Sequence, residues 1–387
     1  MADAIAILGA ARTPIGGLLG ELSALTAPQL GAHAINAALA RAGVQGGAIA
    51  EVFMGNVLSA GLGQAPARQA AIGAGLPQSV PCTTLNKMCG SGMQALVLAH
   101  DRLAAGGEGL VVAGGMESMS QAPFLLPRMR GGQKYGHARV LDHMAMDGLE
   151  DAYDPGRAMG TFAEDTAEEM QLGRAQQDAF AERSLRLALA ERADEIAPIT
   201  VPGRKPMTIS TDEQPRRADP NKIPTLRPVF RDGGTVTAAN SSSISDGAAA
   251  LLVGRVSEAA RHGLSPLARI VAHAVHAQAP QKFTTAPVEA IRKVLGRAGW
   301  TLDNVDLFEI NEAFAVVALA CAAQLRIPPA KLNVRGGACA MGHPIGASGA
   351  RIVVTLLASL REQGLKRGVA AVCIGGGEAT AVAIELL

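Results

Sequence analysis

One pattern is written twice in this chain. Residues 34–44, AINAALARAGV, and residues 290–300, AIRKVLGRAGW, share six identities in eleven positions. Each is followed by an acidic-hydrophobic strand segment, EVFMGN at 51–56 and DLFEIN at 306–311. Further on, GLVVAGGMES (109–118) is mirrored by GVAAVCIGGGEA (368–379). A single match between two Ala-rich helices would carry little weight. Helix, strand and glycine turn matching in the same order point to an internal duplication, so the chain is expected to build one unit twice.

Each copy alternates β-branched runs with helical periods, which predicts an α/β unit with mostly parallel strands. Strands are expected at Ala4–Leu8, Val52–Asn56 and Leu110–Ala113, with helices Pro28–Ala42 and Ser91–Ala105 between them. The second copy predicts strands near Arg269–Ala274, Leu307–Ile310, Val369–Ile374 and Ala379–Leu386, and helices Pro287–Ala298 and Ser348–Glu362. Residues 120–247 differ in texture, with Gly-, Pro- and charge-rich excursions around an amphipathic helix, Arg174–Glu195. They read as an inserted loop or lid domain. The expected organisation is a first core half over 1–119, completed by about 248–266, the insert over 120–247, and a second core half over 267–387.

Length and composition close off other classes. At 387 residues the chain can bury a sizeable core without staples. A net charge of +1 and only eleven aromatics argue against a nucleic-acid binder. The longest unbroken apolar stretch, Ala313 to Ala323, is too short for a membrane span, and the first ten residues carry Asp3 and no basic segment, so no secretory signal is expected. Five scattered cysteines make neither a disulfide framework nor a CxxC metal pair. The expected compartment is reducing, the cytoplasm, and each cysteine becomes a question of thiol chemistry.

Four segments could carry chemistry. In NKMCGSGMQAL (86–96), Cys89 precedes a Gly-Ser-Gly turn that opens a helix, where free N–H groups would favour the thiolate and lower its pKa. Position alone serves a nucleophile and a buried core thiol equally. The same stretch matches the dinucleotide pattern GxGxxA at Gly90, Gly92 and Ala95. It lacks a good preceding buried strand, and its only acid near the required spacing is Glu108, so a nicotinamide site is rejected. In RGGACAMGHPIGASGAR (335–351), Pro344 disfavours helix at His343 and presents the imidazole from a loop. Seen alone, such a histidine is more often structural than catalytic. In AAVCIGGGEATAVAIEL (370–386), a buried strand delivers Cys373 to its C-terminal end, although core packing fits a lone cysteine there better. In FEINEAFA (308–315), Asn311 and Glu312 stand at a strand-to-helix junction, where Asn311 fits a helix cap or an oxyanion donor. Cys82, Cys321 and Cys339 have no comparable setting and read as structural.

Taken together these motifs resemble the thiolase family over the whole chain, through NKMCGSGMQA, GGMESMS (114–120), NEAFA (311–315), GHPIGASGAR (342–351) and CIGGGEATA (373–381). The resemblance implies two βαβαβαββ halves in five α/β/α/β/α layers with a loop domain inserted in the first half. It implies acyl transfer between coenzyme A thioesters, with coenzyme A as substrate or product and no tightly bound cofactor or metal. Cys89 would become acylated, His343 would activate it, and Cys373 would move the proton at the substrate α-carbon. Asn311 would hold a water that completes one oxyanion hole with His343, and the N–H groups of Cys89 and Gly375 would make the other. Matching coenzyme-binding positions are Leu149, Met159, Arg216, Phe230, Ala238, Ser242, Ala313 and Phe314. A homotetramer or homodimer is expected.

The sequence departs from the family pattern at Ala158, Ser243, Ser245, Phe283 and Arg335, which bears on chain-length preference and leaves the catalytic set intact; Phe283 is expected at the acyl pocket. The related decarboxylating condensing enzymes use Cys-His-His, which Asn311 and Cys373 argue against. A rival of another class is an inactive acyl-CoA-binding or assembly subunit of the same fold.

Overall fold

In the computed structural model, residues 3–190 and 192–387 are described. The first half runs β1 (Ile5–Arg12), α1 (Ala27–Ala42), β2 (Ile49–Gly55), α2 (Pro66–Gly73), β3 (Cys82–Leu85), α3 (Ser91–Ala104), β4 (Leu110–Ser118). The chain then leaves the sheet, forms α4 (Met159–Glu169) and α5 (Arg174–Ala188), and returns in β5 (Ser245–Arg255). The second half runs β6 (Ala268–Ala277), α6 (Ala286–Ala298), β7 (Leu307–Ile310), α7 (Ala315–Leu325), α8 (Ile345–Gln363), β8 (Arg367–Ile374) and β9 (Glu378–Leu386).

The duplicated segments fold alike. α1 and α6 both end on the glycine of their shared Arg-Ala-Gly, and Gly43 (φ 72°) and Gly299 (φ 67°) adopt the left-handed C-cap that a side chain resists. The strand order is β7-β8-β9-β6-β1-β5-β4-β2-β3, so the two halves occupy equivalent places on either side of a β6–β1 junction. That junction pairs Ala6 with Arg269 and Ile7 with Ala268 and makes one continuous sheet.

Three apolar cores separate the layers. α1 and α2 cover one face of the first half through Leu30, Ile35, Ala67 and Ala70. α6 and α7 cover the outer face of the second half through Ile291, Val294, Val316 and Val317. Between them, Leu96 and Leu103 of α3 and Ile352 and Leu356 of α8 share a core with Val111, Leu251, Val372 and Ile384 from both halves. The sheet therefore folds around α3 and α8, which gives the α/β/α/β/α layering. Close approach at the centre needs glycine. A Cβ on Gly92 would lie 2.8 Å from Ala350 N, and one on Gly115 would lie 2.0 Å from Gly346 O.

Two expectations are corrected. The strands are not mostly parallel: only β2–β3, β2–β4 and β7–β8 are, because the last strand of each half runs against both its neighbours, β5 between β4 and β1 and β9 between β8 and β6, and β6 runs against β1. The third strand of the second half is reduced to one parallel bridge, Phe308 to Leu332. The amphipathic helix of the insert stops at Ala188 rather than Glu195; residue 191 of that stretch, like residues 1 and 2, lies outside the described residues.

Ion pairs built on two buried arginines fasten the insert to the core. Arg12 on β1, fully buried, pairs with Asp212 at 2.8 Å and Glu195 at 3.3 Å. Arg335 pairs with Asp194 at 2.7 Å and with Glu362 of α8 at 2.8 Å. Removing one partner of such a pair would leave a buried charge uncompensated. No helix among the described residues is long and apolar enough to cross a membrane.

Candidate active site

Cys89 stands one residue before Gly90, the N-cap of α3. The residue before it, Met88, has φ 48°, a left-handed conformation that costs a side-chain-bearing residue on the order of 1–3 kcal/mol. Local bonds hold that turn: Met88 N–H donates to Asn86 Oδ1 at 2.9 Å, Lys87 N–H to Ser91 Oγ at 2.8 Å, and Ser91 Oγ to Met88 O at 2.6 Å. Lys87 also forms an ion pair with Glu378, tying the turn to the start of β9. The backbone N–H groups of Gly375, beyond the end of β8, and of Cys89 itself face the Cys89 sulfur and favour its charged form.

The expectation of a lowered Cys89 pKa is overturned. Burial pushes the thiol up to about 11 and outweighs those two N–H groups. Cys373 closes β8 on the face of Val369 and Ala371, almost fully buried, and is pushed well above the usual thiol range by burial and by the neighbouring Cys89. The two sulfurs, 284 residues apart, thus belong to one site.

His343 follows Gly342, whose φ of 106° and whose Cβ position, 2.0 Å from Ser245 Oγ, leave room for glycine alone. His343 N–H donates to Ser243 O at 3.0 Å, and Pro344 caps α8. The departures Ser243 and Ser245 therefore buttress the histidine loop. Ser348, one turn into α8, lies 2.6 Å from His343 Nδ1 and donates to Pro344 O at 2.9 Å. With its single proton so placed, Ser348 accepts from Nδ1–H, which assigns the lone pair to Nε2. Burial, reinforced by the Arg351 charge, holds the imidazole down to about 3, so the ring is neutral at physiological pH.

Among the described residues, His343 Nε2 and Asn311 Nδ2 are buried here without a protein partner. Asn311 leaves β7 with its N–H on Ala371 O at 2.9 Å, and its Oδ1 accepts from Arg351 Nη2 at 3.2 Å. An unsatisfied buried donor and an unsatisfied buried acceptor are costly in a resting fold and useful where a substrate oxygen or a water is to be received.

Reading the sequence left Glu117 and Arg351 without roles, though both lie inside quoted motifs. Glu117 is fully buried and accepts four bonds, from Asn56 Nδ2, Leu58 N–H, Val57 N–H and Gly346 N–H, at 2.8–3.1 Å. It bolts the start of α8 to the loop after β2. Its carboxyl is pushed up to about 7 by burial, against the pull of the backbone donors. Asn56 ends β2 as Asn311 ends β7. This repeated asparagine was a signal open to the sequence; that one copy would give its Nδ2 to Glu117 and the other keep its Nδ2 free was not.

The expected coenzyme positions fall in three groups. Leu149 packs in the apolar cluster of Leu58, Met88, Cys89 and Ile345. Met159, Phe230, Ala313 and Phe314 lie together on the second half: Met159 Cε is 3.6 Å from the Cβ position of Gly375, Phe230 meets Phe314 edge to face at 5.9 Å, and Ala313 O accepts from Ser242 N–H at 3.0 Å. Ala238 lines a cleft of about 250 Å³ between insert and core, together with Arg217, Lys222, Ser243 and Cys339. Arg216 points elsewhere, to Glu21 at 2.6 Å. Phe283 is not presented to solvent; its ring packs edge to face on Phe162 at 6.3 Å within the outer core.

Comparison with known proteins agrees with this arrangement. The family models described as thiolase, N-terminal domain and thiolase, C-terminal domain match residues 5–257 and 264–386. The chain is 47% identical over 387 residues to an acetyl-CoA acetyltransferase of Schizosaccharomyces pombe, covering 98% of each. It is 50% identical over 392 residues to acetyl-CoA acetyltransferase 1 of Arabidopsis thaliana, covering 99% of this chain and 94% of that protein. The crystal structure of the Acat5 thiolase from Ascaris suum in complex with coenzyme A superposes with a TM-score of 0.93 at 41% identity, covering 99% of this chain and 100% of that one. Two copies of one α/β unit, with a thiol at one central helix start and an imidazole at the other, are thus the frame of a known enzyme family: this chain belongs to the thiolases.

Proposed function

We propose that this chain is an acetyl-CoA C-acetyltransferase that cleaves acetoacetyl-CoA, or a longer 3-ketoacyl-CoA, with coenzyme A, and runs the reverse condensation. One observation carries the residue roles: His343 Nε2 and Asn311 Nδ2 are buried and unpartnered while Cys89 shares the Gly375 N–H and neighbours Cys373. In the condensing direction His343 Nε2 takes the Cys89 proton as the sulfur attacks the acetyl-CoA carbonyl. The oxyanion that forms is met by the Cys89 and Gly375 N–H groups, and coenzyme A leaves as its thiol with the proton returned by His343. Cys373 then passes its proton to His343 Nε2 and, as the thiolate, removes the α-proton of a second acetyl-CoA. The enolate oxygen is stabilised by His343 Nε2–H and a water on Asn311, the new carbon–carbon bond forms at the acyl carbon, and the Cys89 sulfur departs, taking the proton from His343. One oxyanion donor is worth about a hundred- to a thousand-fold in rate, and covalent tethering makes the second step intramolecular. A high resting thiol pKa suits this scheme, because the charge need appear only as the proton moves to His343.

The cleft beside Ala238 carries two cations, Arg217 and Lys222, against one anion, Asp219, which suits an anionic coenzyme. Assembly as a homotetramer or homodimer is supported by the open edge of β3 and by exposed Phe124, Leu126, Met129, Tyr135 and Val140 on the arm of the insert. A reducing, cytoplasmic setting is supported by five free cysteines. An inactive subunit is disfavoured because every group of the scheme is present. The test is the purified chain alone with acetoacetyl-CoA and coenzyme A. Loss of the ketothioester, with acetyl recovered on Cys89, is expected; no consumption by a folded chain would overturn the proposal.

A further inference from the structure

Away from the active site, three ligating side chains converge where the two halves meet. His100 and Asp101 lie on the last turns of α3, and His273 lies on β6 of the other half. Asp101 Oδ1 is 3.1 Å from His100 Nδ1 and 2.8 Å from His273 Nε2. All three ligand atoms fall within 4.8 Å of one another, and the rings meet edge to face with centroids 5.0 Å apart. Both imidazoles therefore aim a nitrogen at one carboxylate oxygen instead of stacking or turning to solvent.

We propose that His100, Asp101 and His273 form a site for a divalent transition ion of the zinc class, clamping the first half of the fold to the second. The donor set is two imidazoles and one carboxylate, which suits Zn²⁺ better than Mg²⁺ or Ca²⁺. Bonds of about 2.0–2.2 Å to a tetrahedral ion place its ligand atoms roughly 3.3 Å apart. The two nitrogen-to-oxygen distances are already close to that, so only the spacing between the imidazoles has to adjust. Each ligating nitrogen must offer its lone pair, so His100 keeps its proton on Nε2 and His273 on Nδ1. Asp101 is half exposed, which leaves the fourth position to water. Arg297, which donates to His273 O at 2.7 Å, opposes the added charge and moderates the affinity. The role is structural, since none of these residues belongs to the acyl-transfer machinery.

The test uses the full chain, stripped with chelator and titrated with Co²⁺ and Zn²⁺. One equivalent of Co²⁺ is expected to give tetrahedral d–d bands without a sulfur-to-cobalt charge-transfer band, which separates this site from the catalytic thiols. Zn²⁺ should raise the melting temperature. Asp101→Asn and His273→Gln should each weaken binding about a hundred-fold or more and abolish the Zn²⁺-dependent melting shift. Because Asp101 is exposed, Asp101→Asn should fold and turn over as the parent does, so its loss of binding reports on the site alone. Lack of saturable binding, a sulfur charge-transfer band from the only bound ion, or unchanged affinity in both variants would overturn the site.

Discussion

Arg351 reaches Asn311 through a single bond, Nη2 to Oδ1 at 3.2 Å, and both side chains are almost wholly buried. The contact orients the amide so that its Nδ2 is left without a partner, while Arg351 Nε and Nη1 are themselves unbonded and Glu309 stands off at 3.9 Å. Arg351 thus acts through Asn311 and, by its charge, on His343. Asn311→Ala should slow turnover about a hundred-fold or more. Arg351→Met should lower kcat about 10- to 100-fold with little change in KM, because the amide loses its aim while coenzyme contacts persist. Steady-state kinetics and Cys89 alkylation on the same samples check this; equal kinetics for parent and Arg351→Met would reduce the residue to packing.

The two sulfurs should separate the two half-reactions. Cys89→Ala should lose all covalent labelling by acetyl-CoA. Cys373→Ser should still take label on Cys89 and lose most condensation, because the base at carbon is gone. Mass spectrometry of the acyl-enzyme beside a condensation assay distinguishes them, and a parallel loss of both steps in Cys373→Ser would contradict the assignment.

Cys89 is pushed up to about 11 and His343 down to about 3, so the resting pair is neutral at pH 7. Alkylation of Cys89 in the free protein should therefore keep rising as pH increases through 8 and 9, with no plateau near neutrality. A rate already flat between pH 6 and 8 would mean a preformed thiolate–imidazolium pair.

Glu117→Gln should destabilise the fold. The amide would turn a donor toward groups that now only donate, and each buried N–H left without an acceptor costs about 1–3 kcal/mol. Denaturant unfolding should show a lower midpoint. In the parent, the folded Glu117 pKa of about 7 stands above the ordinary carboxylate value of 4.5. The folded state thus binds the proton more tightly, and this group's contribution is fully present below about 4.5 and fades as pH rises through 7. A pH-dependence of stability with that slope, absent in Glu117→Gln, checks the sign.

Much of the molecule was legible beforehand because its signals are local. The Arg-Ala-Gly ends of α1 and α6, the glycine turns before α3 and α8, and the β-branched runs fix elements within a few residues of themselves, and repetition doubled each signal. Strand direction was misread because it depends on how the insert and the last hairpin return to the sheet.

The order of residues alone determined two α/β copies and the chemical groups at their turns. Tertiary structure decided their states. Cys89 is a raised rather than a lowered thiol because distant segments exclude water from it, and desolvation outweighs the helix N–H groups beside it in sequence. Of two asparagines ending equivalent strands, Asn56 spends its Nδ2 on Glu117, whereas Asn311 has its Oδ1 held by Arg351 and its Nδ2 left open. That difference arises from partners 40 or more residues away, and no local pattern encodes it.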